Sequence, residues 1–554
     1  MRRMKGAAGL LTALLLAFQL SAQTFALANE DNGIKVVPVN FTHNGYSYEI
    51  EGVAKSTDGD YQMKSPARLA ARKLPSTYDP RSSGEITTVK DQASTGACWA
   101  FSALACAEQD LIKKGLENPS TEFSVPALVL SSNSGTATGK DDFSSGGNWL
   151  FAASALANGQ GLCYEDYEPF LESGTGNMIV SENKKSVSEY RLNYVMELSS
   201  TTQVKRKIME LGAVSASYFA GNGYMNHNNT AYYDPDASKN TIINHSVTVV
   251  GWDDNYSKDN FRYKPANNGA WLVKGSWGAD QDNDGFYWVS YDEAEFGQFC
   301  CYDFEESCDN TYHYSKMTGY VVNASNDGSV YGANVFTAKA DEKLDKAGFM
   351  YVGKTGSADY TLSVYTDVSD SDPIGVLETQ ISGSVSANGF YTVDFPEDIL
   401  LEEGEKYSIS VKFSGDSGRG YLLAESDRTS KAQSGQSYIS LNGKYWSDVG
   451  ADKTDSIGSL FIYAYTDDTA KPDKSSLESA LAKYGTLAGC EREANNARTV
   501  LADETASKND ISNAQKLLIS AAEEHDEALV ITTEAQWESF ANRVSSGESF
   551  EGKL

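Results

Sequence analysis

The tract from Gln92 to Ser102 constrains this chain more than any other feature of its sequence. Gly96 breaks the chain two residues before Cys98, and an apolar run begins at Trp99 directly after it. This order predicts that the cysteine lies where a loop becomes a helix. A thiol at that place meets the positive end of the helix dipole, which favours the nucleophilic thiolate. The tract therefore indicates a catalytic cysteine, with the Gln92 amide and the Cys98 backbone N–H as donors to a developing oxyanion.

A thiolate of this kind needs a base, and the chain has only five histidines. His245 begins a β-branched run that ends at Trp252 and is typical of a buried strand. A histidine at the end of a rigid strand can be held in one orientation against a helix N-terminus. His245 is therefore the candidate base for Cys98. The remaining histidines lie in a polar loop or outside the region of the cysteine: His43, His227, His313 and His525.

The Cys98 tract, the His245 strand and the segment from Ala270 to Gly278 together resemble papain-like cysteine peptidases. In that family an asparagine before Ser-Trp-Gly accepts a hydrogen bond from the imidazole and orients it. The matching position here is Gly275, which has no side chain. The resemblance implies that Trp277 packs beside the site and excludes water. Whether another group or a water supplies the missing contact stays open at this point.

Two further segments resemble the substrate cleft of the same family. Gly146 and Gly147 match the paired glycines whose bare backbone pairs with an extended peptide. Ser217 matches a strand that walls the pocket for the second residue before the scissile bond. The resemblance implies that the residues lining this pocket are Asn148, Trp149, Ser217 and Ile243. Such a pocket should prefer an apolar side chain.

The N-terminus has the three parts of a secretory signal peptide, which are basic residues, a short apolar core and a small-residue cleavage site ending at Ala28. The apolar core is too short to span a membrane, and we expect no transmembrane segment later in the chain. The net charge of −30 argues against binding to nucleic acid or to anionic membranes. These features predict a secreted protein that can associate with a cell surface. Seven cysteines in 554 residues do not form a dense disulfide framework, although a bridge among Cys300, Cys301 and Cys308 stays open.

The predicted fold class is multidomain: an α+β papain-like peptidase, then an all-β sandwich, then a small helical bundle. Alternating strands predict the sandwich, which resembles the lectin-like domain that follows papain-like peptidases in some secreted bacterial proteins. Helical spacing near the C-terminus resembles the FIVAR repeats of Gram-positive surface proteins. The expected segments are a signal peptide (1–28), a pro-segment or N-terminal extension (29–74), the peptidase (75–302), the sandwich (303–466), the helical bundle (473–528) and a further module or tail (529–554).

The sequence thus predicts a secreted cysteine endopeptidase that acts on proteins or peptides and uses no metal or other cofactor. The loop from Asp280 to Gly285 has the opening of a calcium loop, but Tyr291 stands where the bidentate glutamate belongs. The sandwich is a candidate for a cell-wall or glycan ligand, although no sugar site is evident from its residues. Two alternatives stay open. One is a cell-surface adhesin with a weakened or degenerate peptidase domain, which Gly275 supports, and the other is a papain-fold transferase that passes the acyl group to an amine.

Overall fold

The structure, a computed structural model, covers most of the chain from residue 74 to residue 526 and short strands before it. It describes residues 34–37, 42–43, 46–47 and 74–526, with gaps at 133–145, 166–169, 171–188, 222, 237–242, 280–281, 316–319, 326–327, 370, 417–418, 427–431, 452–456, 471, 488, 504–505 and 507. The chain divides into two compact units, and the boundary between them falls after Thr469. The predicted signal peptide, the predicted tail and most of the predicted pro-segment lie outside the described residues.

Three helices form one side of the peptidase region. They are α1 (Cys98–Lys114), α2 (Val125–Ser131) and α3 (Trp149–Ala157). α1 begins at the cysteine, as predicted from the tract around it, and nearly all of its length is buried. It ends at Gly115, whose φ of 75° is left-handed and suits glycine. Because α1 is buried over most of its length, the candidate nucleophile at its first residue is held at a fixed place.

Strands form the other side of the peptidase region, and a fourth helix, α4 (Thr201–Leu211), lies among them in sequence. Short strands precede them at β1 (Ile34–Val37), β2 (Thr42–His43) and β3 (Tyr46–Ser47). The strands of the region are β4 (Thr77–Tyr78), β5 (Tyr190–Leu198), β6 (Val214–Tyr218), β7 (Ala231–Tyr232), β8 (His245–Asp253), β9 (Ala270–Lys274), β10 (Phe286–Ser290) and β11 (Gly297–Glu306). The strand predicted to begin at His245 is confirmed as β8.

The following region is all β, as predicted. Its strands are β12 (Asn310–Tyr312), β13 (Tyr320–Ser325), β14 (Ser329–Thr337), β15 (Glu342–Tyr351), β16 (Ala358–Thr366), β17 (Val376–Val385), β18 (Gly389–Leu401), β19 (Lys406–Ser414), β20 (Gly420–Ser426), β21 (Ser437–Ser440), β22 (Ser447–Asp448), β23 (Ile457–Leu460) and β24 (Ile462–Asp468). One sheet has the order β17-β16-β19-β14-β21-β22. A second has the order β1-β13-β20-β23, so that the N-terminal extension supplies an edge strand to the sandwich.

A third sheet runs through both regions without a break. Its order is β12-β24-β15-β18-β5-β11-β6-β8-β9-β10-β7, and β4 pairs with β8. The two regions meet where residues 389–391 of β18 pair with residues 194–196 of β5. The approach is close, because a Cβ on Gly389 would lie 2.1 Å from the carbonyl oxygen of Val195. The peptidase and the sandwich, which the sequence analysis separates, therefore share one sheet and lie in one compact unit.

Further contacts join the two regions away from the sheet. The hydroxyl of Tyr465 donates to the carbonyl of Ala157 at 3.1 Å, and Nδ2 of Asn158 donates to the carbonyl of Ser315 at 3.3 Å. Both bonds anchor the C-terminal end of α3. One hydrophobic cluster of buried side chains extends from Val89 in the peptidase region to Tyr465 in the sandwich. Burial of apolar surface thus stabilises both regions together.

The second unit consists of three helices with a core of their own. They are α5 (Ser475–Tyr484), α6 (Glu491–Ala502) and α7 (Lys508–Asp526). The buried residues are small or aliphatic and include Leu477, Ala494, Ile511, Ala514, Leu518 and Ala522. The predicted helical bundle is confirmed, whereas its likeness to FIVAR repeats stays a prediction.

All seven cysteines lie in the described part of the chain, and none of them forms a disulfide. Cys300 and Cys301 are adjacent residues of β11 and both are fully buried. The bridge that the sequence left open among them and Cys308 is therefore not formed. Among the described residues, no helix is both long enough and apolar enough to cross a membrane.

Candidate active site

Cys98 is the first residue of α1, and hydrogen bonds hold this end of the helix against β8. Ser102, one turn further along α1, donates from its hydroxyl to the carbonyl of Val247 at 2.7 Å. The backbone and the side chain of Ser246 act on the thiol of Cys98 and lower its pKa. Ser246 directly follows His245, so the residue next to the predicted base lies against the predicted nucleophile. They come from opposite sides of the peptidase region, the helical side and the strand side.

The environment of the thiol acts on its protonation in two directions. Cys98 is only 9% exposed, and burial raises the pKa of the thiol above its ordinary value. Hydrogen bonds from Ser246 and from the backbone of Trp99 lower this pKa in part. Burial dominates, so a thiolate at this place needs an opposite charge beside it.

His245 is the first residue of β8, and aromatic rings enclose its imidazole. Trp277 stacks on it with the ring centroids 4.3 Å apart and the planes 8° apart. Tyr218, its partner across the strand pair, meets the imidazole edge-on at 5.9 Å. Burial lowers the pKa of His245 to about 3. Its Nε2 atom is buried and has no hydrogen-bond partner among the described residues.

Gly275 lies directly after β9, at the position where the family resemblance places an asparagine. Its N–H donates to the carbonyl of Gly285 at 3.1 Å. A Cβ at this position would lie 3.2 Å from the same carbonyl oxygen and 3.4 Å from the ring of Tyr287. The sequence left open whether another protein group orients the imidazole. In the described part of the chain none does, since Nε2 of His245 has no partner there.

Gln92 lies in the loop before α1, and its side chain is firmly oriented. Its Oε1 accepts a hydrogen bond from the hydroxyl of Ser276 at 2.6 Å, and its Nε2 donates to the carbonyl of Thr95 at 2.8 Å. Its backbone N–H donates to the carbonyl of Ser276 at 2.7 Å. Because an amide nitrogen carries two hydrogens, one remains for an oxyanion. The arrangement fits the predicted role of Gln92.

The structure gives a physical reason for the glycine at position 147, one of the two glycines predicted in the cleft. A Cβ at this position would lie 2.4 Å from the indole ring of Trp99. Only glycine lets the loop of Gly146 and Gly147 lie this close to that ring. The bare backbone of this loop is therefore packed on the side chain of the residue that follows the candidate nucleophile.

Asn148 and Trp149, which the resemblance places in the pocket, also have structural partners. Asn148 caps α3, because its Oδ1 accepts from the backbone N–H groups of Leu150 at 2.9 Å and Phe151 at 3.4 Å. Trp149 is the first residue of α3, and its Nε1 donates to Oε1 of Glu197 at 3.1 Å. The indole of Trp149 is therefore fixed at its polar edge to β5.

Ser217 and Ile243 flank the candidate base. The hydroxyls of Ser217 and Ser246 lie 3.0 Å apart, which joins Ser217 to the residue that contacts the thiol. Ile243 is half-buried and lies two residues before His245. Both therefore lie on the strand side of the peptidase region, close to His245 in sequence or in the sheet.

Three residues of the site were not predicted from the sequence: Ser246, Glu197 and Asn388. Ser246 could have been identified, because it directly follows the candidate base in the chain. Glu197 is an acidic residue in a strand of largely buried side chains, which is a signal of a partnered carboxylate. Asn388 donates from Nδ2 to Oε2 of Glu197 at 3.1 Å. It lies in the sandwich, and nothing in the sequence links it to the cleft.

Comparison with known families agrees with this geometry. Residues 74–324 match the family model of the papain family cysteine protease, and residues 311–466 match that of the lectin like domain. Curated relatives include mouse cathepsin K, with 24% identity over 216 residues, and bovine cathepsin S, with 29% identity over 218 residues. Each alignment covers 39% of this chain, and 59% and 60% of the two relatives. The chain thus spans about three fifths of the length of these relatives.

Solved structures resemble both regions together. The crystal structure of the cysteine protease and lectin-like domains of Cwp84, a surface layer associated protein of Clostridium difficile, has a TM-score of 0.65 and 26% identity. The superposition covers 80% of this chain and 100% of the Cwp84 chain. The clostridial cysteine protease Cwp84 after propeptide cleavage has a TM-score of 0.62 and 28% identity, and covers 71% of this chain and 99% of that one. The chain therefore has a papain-like cysteine peptidase domain followed by a lectin-like, all-β domain.

Proposed function

We propose that this protein is a secreted cysteine endopeptidase that hydrolyses peptide bonds with Cys98 as nucleophile and His245 as base. The observation that carries the proposal is the thiol at the start of α1, in contact with Ser246, the residue that follows the imidazole covered by Trp277. Gln92 is bonded to Thr95, three residues before Cys98, and to Ser276, next to Trp277, with one amide hydrogen to spare. Nucleophile, base and oxyanion donor are the three parts that acyl transfer by a thiol requires.

The reaction uses these groups in sequence. The Cys98 sulfur attacks the carbonyl carbon of the peptide, and His245 takes the thiol proton. Since Nε2 of His245 is buried, its other ring nitrogen is the one that exchanges protons with the thiol. The Gln92 amide and the Cys98 backbone N–H stabilise the oxyanion. The imidazolium then gives its proton to the leaving amine, and a water, deprotonated by His245, hydrolyses the thioester and frees the sulfur.

The pKa shifts of the two groups bear on the charge of the resting pair. Burial raises the pKa of Cys98 and lowers that of His245, so neither the thiolate nor the imidazolium is favoured by itself. Opposite charges a few ångströms apart favour each other's charged forms. A thiolate–imidazolium pair therefore forms only as a unit, with the hydrogen bonds from Ser246 on the sulfur side.

The cleft favours an extended peptide. The bare backbone of Gly146 and Gly147 can pair with it, as in β-augmentation. The pocket for the second residue before the scissile bond lies between Trp149 on one side and Ser217 and Ile243 on the other. Its aromatic and aliphatic walls suit an apolar side chain.

The compartment and the partners follow from the flanking regions. The predicted signal peptide, together with the likeness to a surface layer associated protein, supports secretion and a place at the cell surface. Protein or peptide substrates follow from the peptidase domain, and a cell-wall glycan is the proposed ligand of the lectin-like domain. The C-terminal helices serve as a FIVAR-like spacer module.

A second function, that of an adhesin with a weakened peptidase, draws support from one observation. Nε2 of His245 has no partner in the described part of the chain, and the imidazole resists protonation. An imidazole that is held only by stacking is a poorer base than one that is also hydrogen-bonded. The binding regions would then carry the biological role.

The proposal is tested by treating the purified protein with a thiol-directed peptidyl epoxide and measuring turnover of fluorogenic peptides. We expect one covalent adduct, on Cys98, and loss of turnover in proportion to labelling. Cys106→Ala is the matched control, because it removes another buried thiol of α1 and should leave labelling unchanged. Labelling of Cys98 without any peptide turnover would support the adhesin, and labelling elsewhere would contradict the assignment of the nucleophile.

A further inference from the structure

The carboxylate of Glu197 joins the substrate cleft to the lectin-like domain. Its Oε1 accepts a hydrogen bond from Nε1 of Trp149 at 3.1 Å, and its Oε2 accepts one from Nδ2 of Asn388 at 3.1 Å. The backbone adds a third bond, since the N–H of Glu197 donates to the carbonyl of Asn388 at 2.9 Å. Glu197 lies near the end of β5 in the peptidase domain, and Asn388 directly precedes β18 in the lectin-like domain.

Asn388 is itself held rigidly. It is only 4% exposed, and its Oδ1 accepts from the backbone N–H of Gly353 at 2.9 Å. This bond fixes which side of the amide carries the oxygen, so the Nδ2 hydrogens face Glu197. The pairing of β18 with β5 begins at the next residue, Gly389. The position of Nδ2 is thus set by the lectin-like domain and by its junction with the peptidase.

The two donors are the side-chain partners that hold the carboxylate of Glu197 in place. Burial raises the pKa of Glu197, and the hydrogen bonds from Asn388 and Trp149 counteract this rise. Hydrogen bonds to an ionised acceptor are stronger than those between neutral groups. Loss of one would leave a carboxylate oxygen without its donor and free the side chain to turn. The direction of the Trp149 indole therefore depends on Asn388 through Glu197.

We propose that Glu197 and Asn388 are positioning residues for the substrate cleft, through which the lectin-like domain fixes the indole of Trp149 and sets the choice of substrate side chain. The proposal rests on the proposed peptidase function. The affected pocket is the one for the second residue before the scissile bond, where the proposed function assigns one wall to Trp149. A fixed indole favours apolar side chains that fit its face, whereas a mobile one admits a wider range of sizes.

The test compares peptides that differ only in the second residue before the scissile bond, from alanine to leucine and phenylalanine. We expect Asn388→Ala to lower the ratio of kcat/KM for the best and the worst of these peptides about tenfold, as for the loss of one charge-assisted hydrogen bond. The rate at which a small thiol reagent without a peptide part labels Cys98 should not change. The matched control is Asn334→Ala, which removes another buried asparagine of the lectin-like domain. Asn334 bonds to the carbonyls of Leu460 and Ile462 and not to the cleft, so its loss should leave the ratio unchanged.

A double-mutant comparison separates positioning from general destabilisation. Trp149→Phe keeps an aromatic wall but removes the N–H that Glu197 accepts. If the link runs through this bond, Asn388→Ala should have little further effect on the ratio once Trp149→Phe is present. Asn388→Gln, which keeps the amide, should recover part of the selectivity. Affinities of the same peptides for the Cys98→Ala variant provide a second readout, which does not require turnover.

The outcomes distinguish this inference from the proposed function. An active enzyme whose selectivity is the same in Asn388→Ala and wild type overturns the inference alone. The inference is also overturned if Asn334→Ala changes the ratio as strongly, because the effect is then one of stability. A wild-type protein that neither cleaves nor binds any peptide overturns the proposed function and the inference with it.

Discussion

The residues on the two sides of the candidate active site are held in place by different contacts. On the helical side the partners of Cys98, Gln92 and Gly147 all lie within the peptidase domain, and each of these residues is closely held. On the strand side the sheet that carries His245 continues through β5 into the lectin-like domain. The imidazole there is held by stacking, with a buried Nε2 that has no partner in the described part of the chain.

This difference teaches that the parts of the site depend on different regions of the molecule. Cys98 and Gln92 have their partners, Ser246 and Ser276, inside the peptidase domain, whereas Trp149 at the start of α3 is tied through Glu197 to the lectin-like domain. The strand side depends on how a long sheet is assembled, and it has the one position, Gly275, where a side chain of the family pattern is missing. Changes to these parts should therefore have different consequences, and the following predictions rank them by size.

The largest effect is expected from removing the lectin-like domain. Residues 29–310 expressed alone would expose the edge of β5 that pairs with β18, and unpaired edges promote aggregation. Glu197 would lose Asn388, and the large buried cluster would be cut. We expect little soluble protein and no cooperative thermal unfolding by circular dichroism. As a control, residues 29–469, which lack only the C-terminal helices, should keep the full melting temperature and turnover. A soluble, fully active fragment 29–310 would contradict the dependence of the strand side on the sheet.

The next effect is the loss of either catalytic group. Cys98→Ala and His245→Ala should each lower kcat by about 10⁶-fold, because nucleophile and base act as a unit. The fold should persist, since neither change opens a large cavity. His227→Ala serves as a control, because this histidine is exposed in a loop and its loss should leave kcat unchanged. A His245→Ala variant with near wild-type kcat would show that another group is the base.

A smaller loss is expected for the oxyanion donor. Gln92→Ala should lower kcat by about 10²–10³-fold with little change in KM, as for other oxyanion donors. Gln92→Glu keeps the acceptor for the Ser276 hydroxyl but lacks the N–H and adds a negative charge, so it should be at least as slow. Ser276→Ala should cost less than either, because it only loosens the amide. Steady-state kinetics on one peptide would show the order, and equal rates for Gln92→Ala and wild type would remove Gln92 from the mechanism.

The smallest effect is a gain, from Gly275→Asn. An amide oxygen that accepts from Nε2–H should orient the imidazole and raise the acylation rate a few-fold, by about the value of one hydrogen bond. Such an acceptor favours the imidazolium, so the pKa of His245 should rise from about 3. If the ion pair is the active form, the alkaline limb of the kcat/KM profile should move to higher pH. The space is tight but open, with Gly285 O at 3.2 Å from the new Cβ.

Gly275→Ala is the control for this change, because it adds the Cβ without the acceptor. It should give no gain in rate and no movement of the pH profile. A folded Gly275→Asn variant whose acylation rate and profile equal those of wild type would show that orientation of the imidazole does not limit this enzyme.

Much of the site could be predicted because its signals are local. A glycine turn before an apolar run indicates a helix start at Cys98, and a β-branched run indicates a strand start at His245, whatever the rest of the chain does. The pairing of the two needed only the family resemblance. The protonation of these groups could not be predicted in the same way. The helix start alone suggested an easily formed thiolate, but burial depends on every neighbour and raises the pKa of the thiol.

The secondary structure of each region could be predicted from the sequence, but the pairing of strands between the peptidase and the sandwich could not. Each region has its own strand or helix pattern, and the described elements lie where those patterns placed them. The sequence separated the peptidase from the sandwich at residue 303, but it did not reveal that Tyr194 to Met196 of β5 pair with β18 of the sandwich. Such a pairing depends on the match of two edges almost two hundred residues apart in sequence, and no local pattern records it.

The sequence by itself determined that Cys98, His245 and Gln92 are the candidate catalytic residues, because each lies at an element boundary marked by its immediate neighbours. Only the tertiary structure decided what surrounds them. It buried Nε2 of His245 without a hydrogen-bond partner among the described residues, and it tied Trp149 through Glu197 to an asparagine of the lectin-like domain. Hydrogen bonds and burial are set by distances in space, and these arise only when the long sheet brings remote segments together.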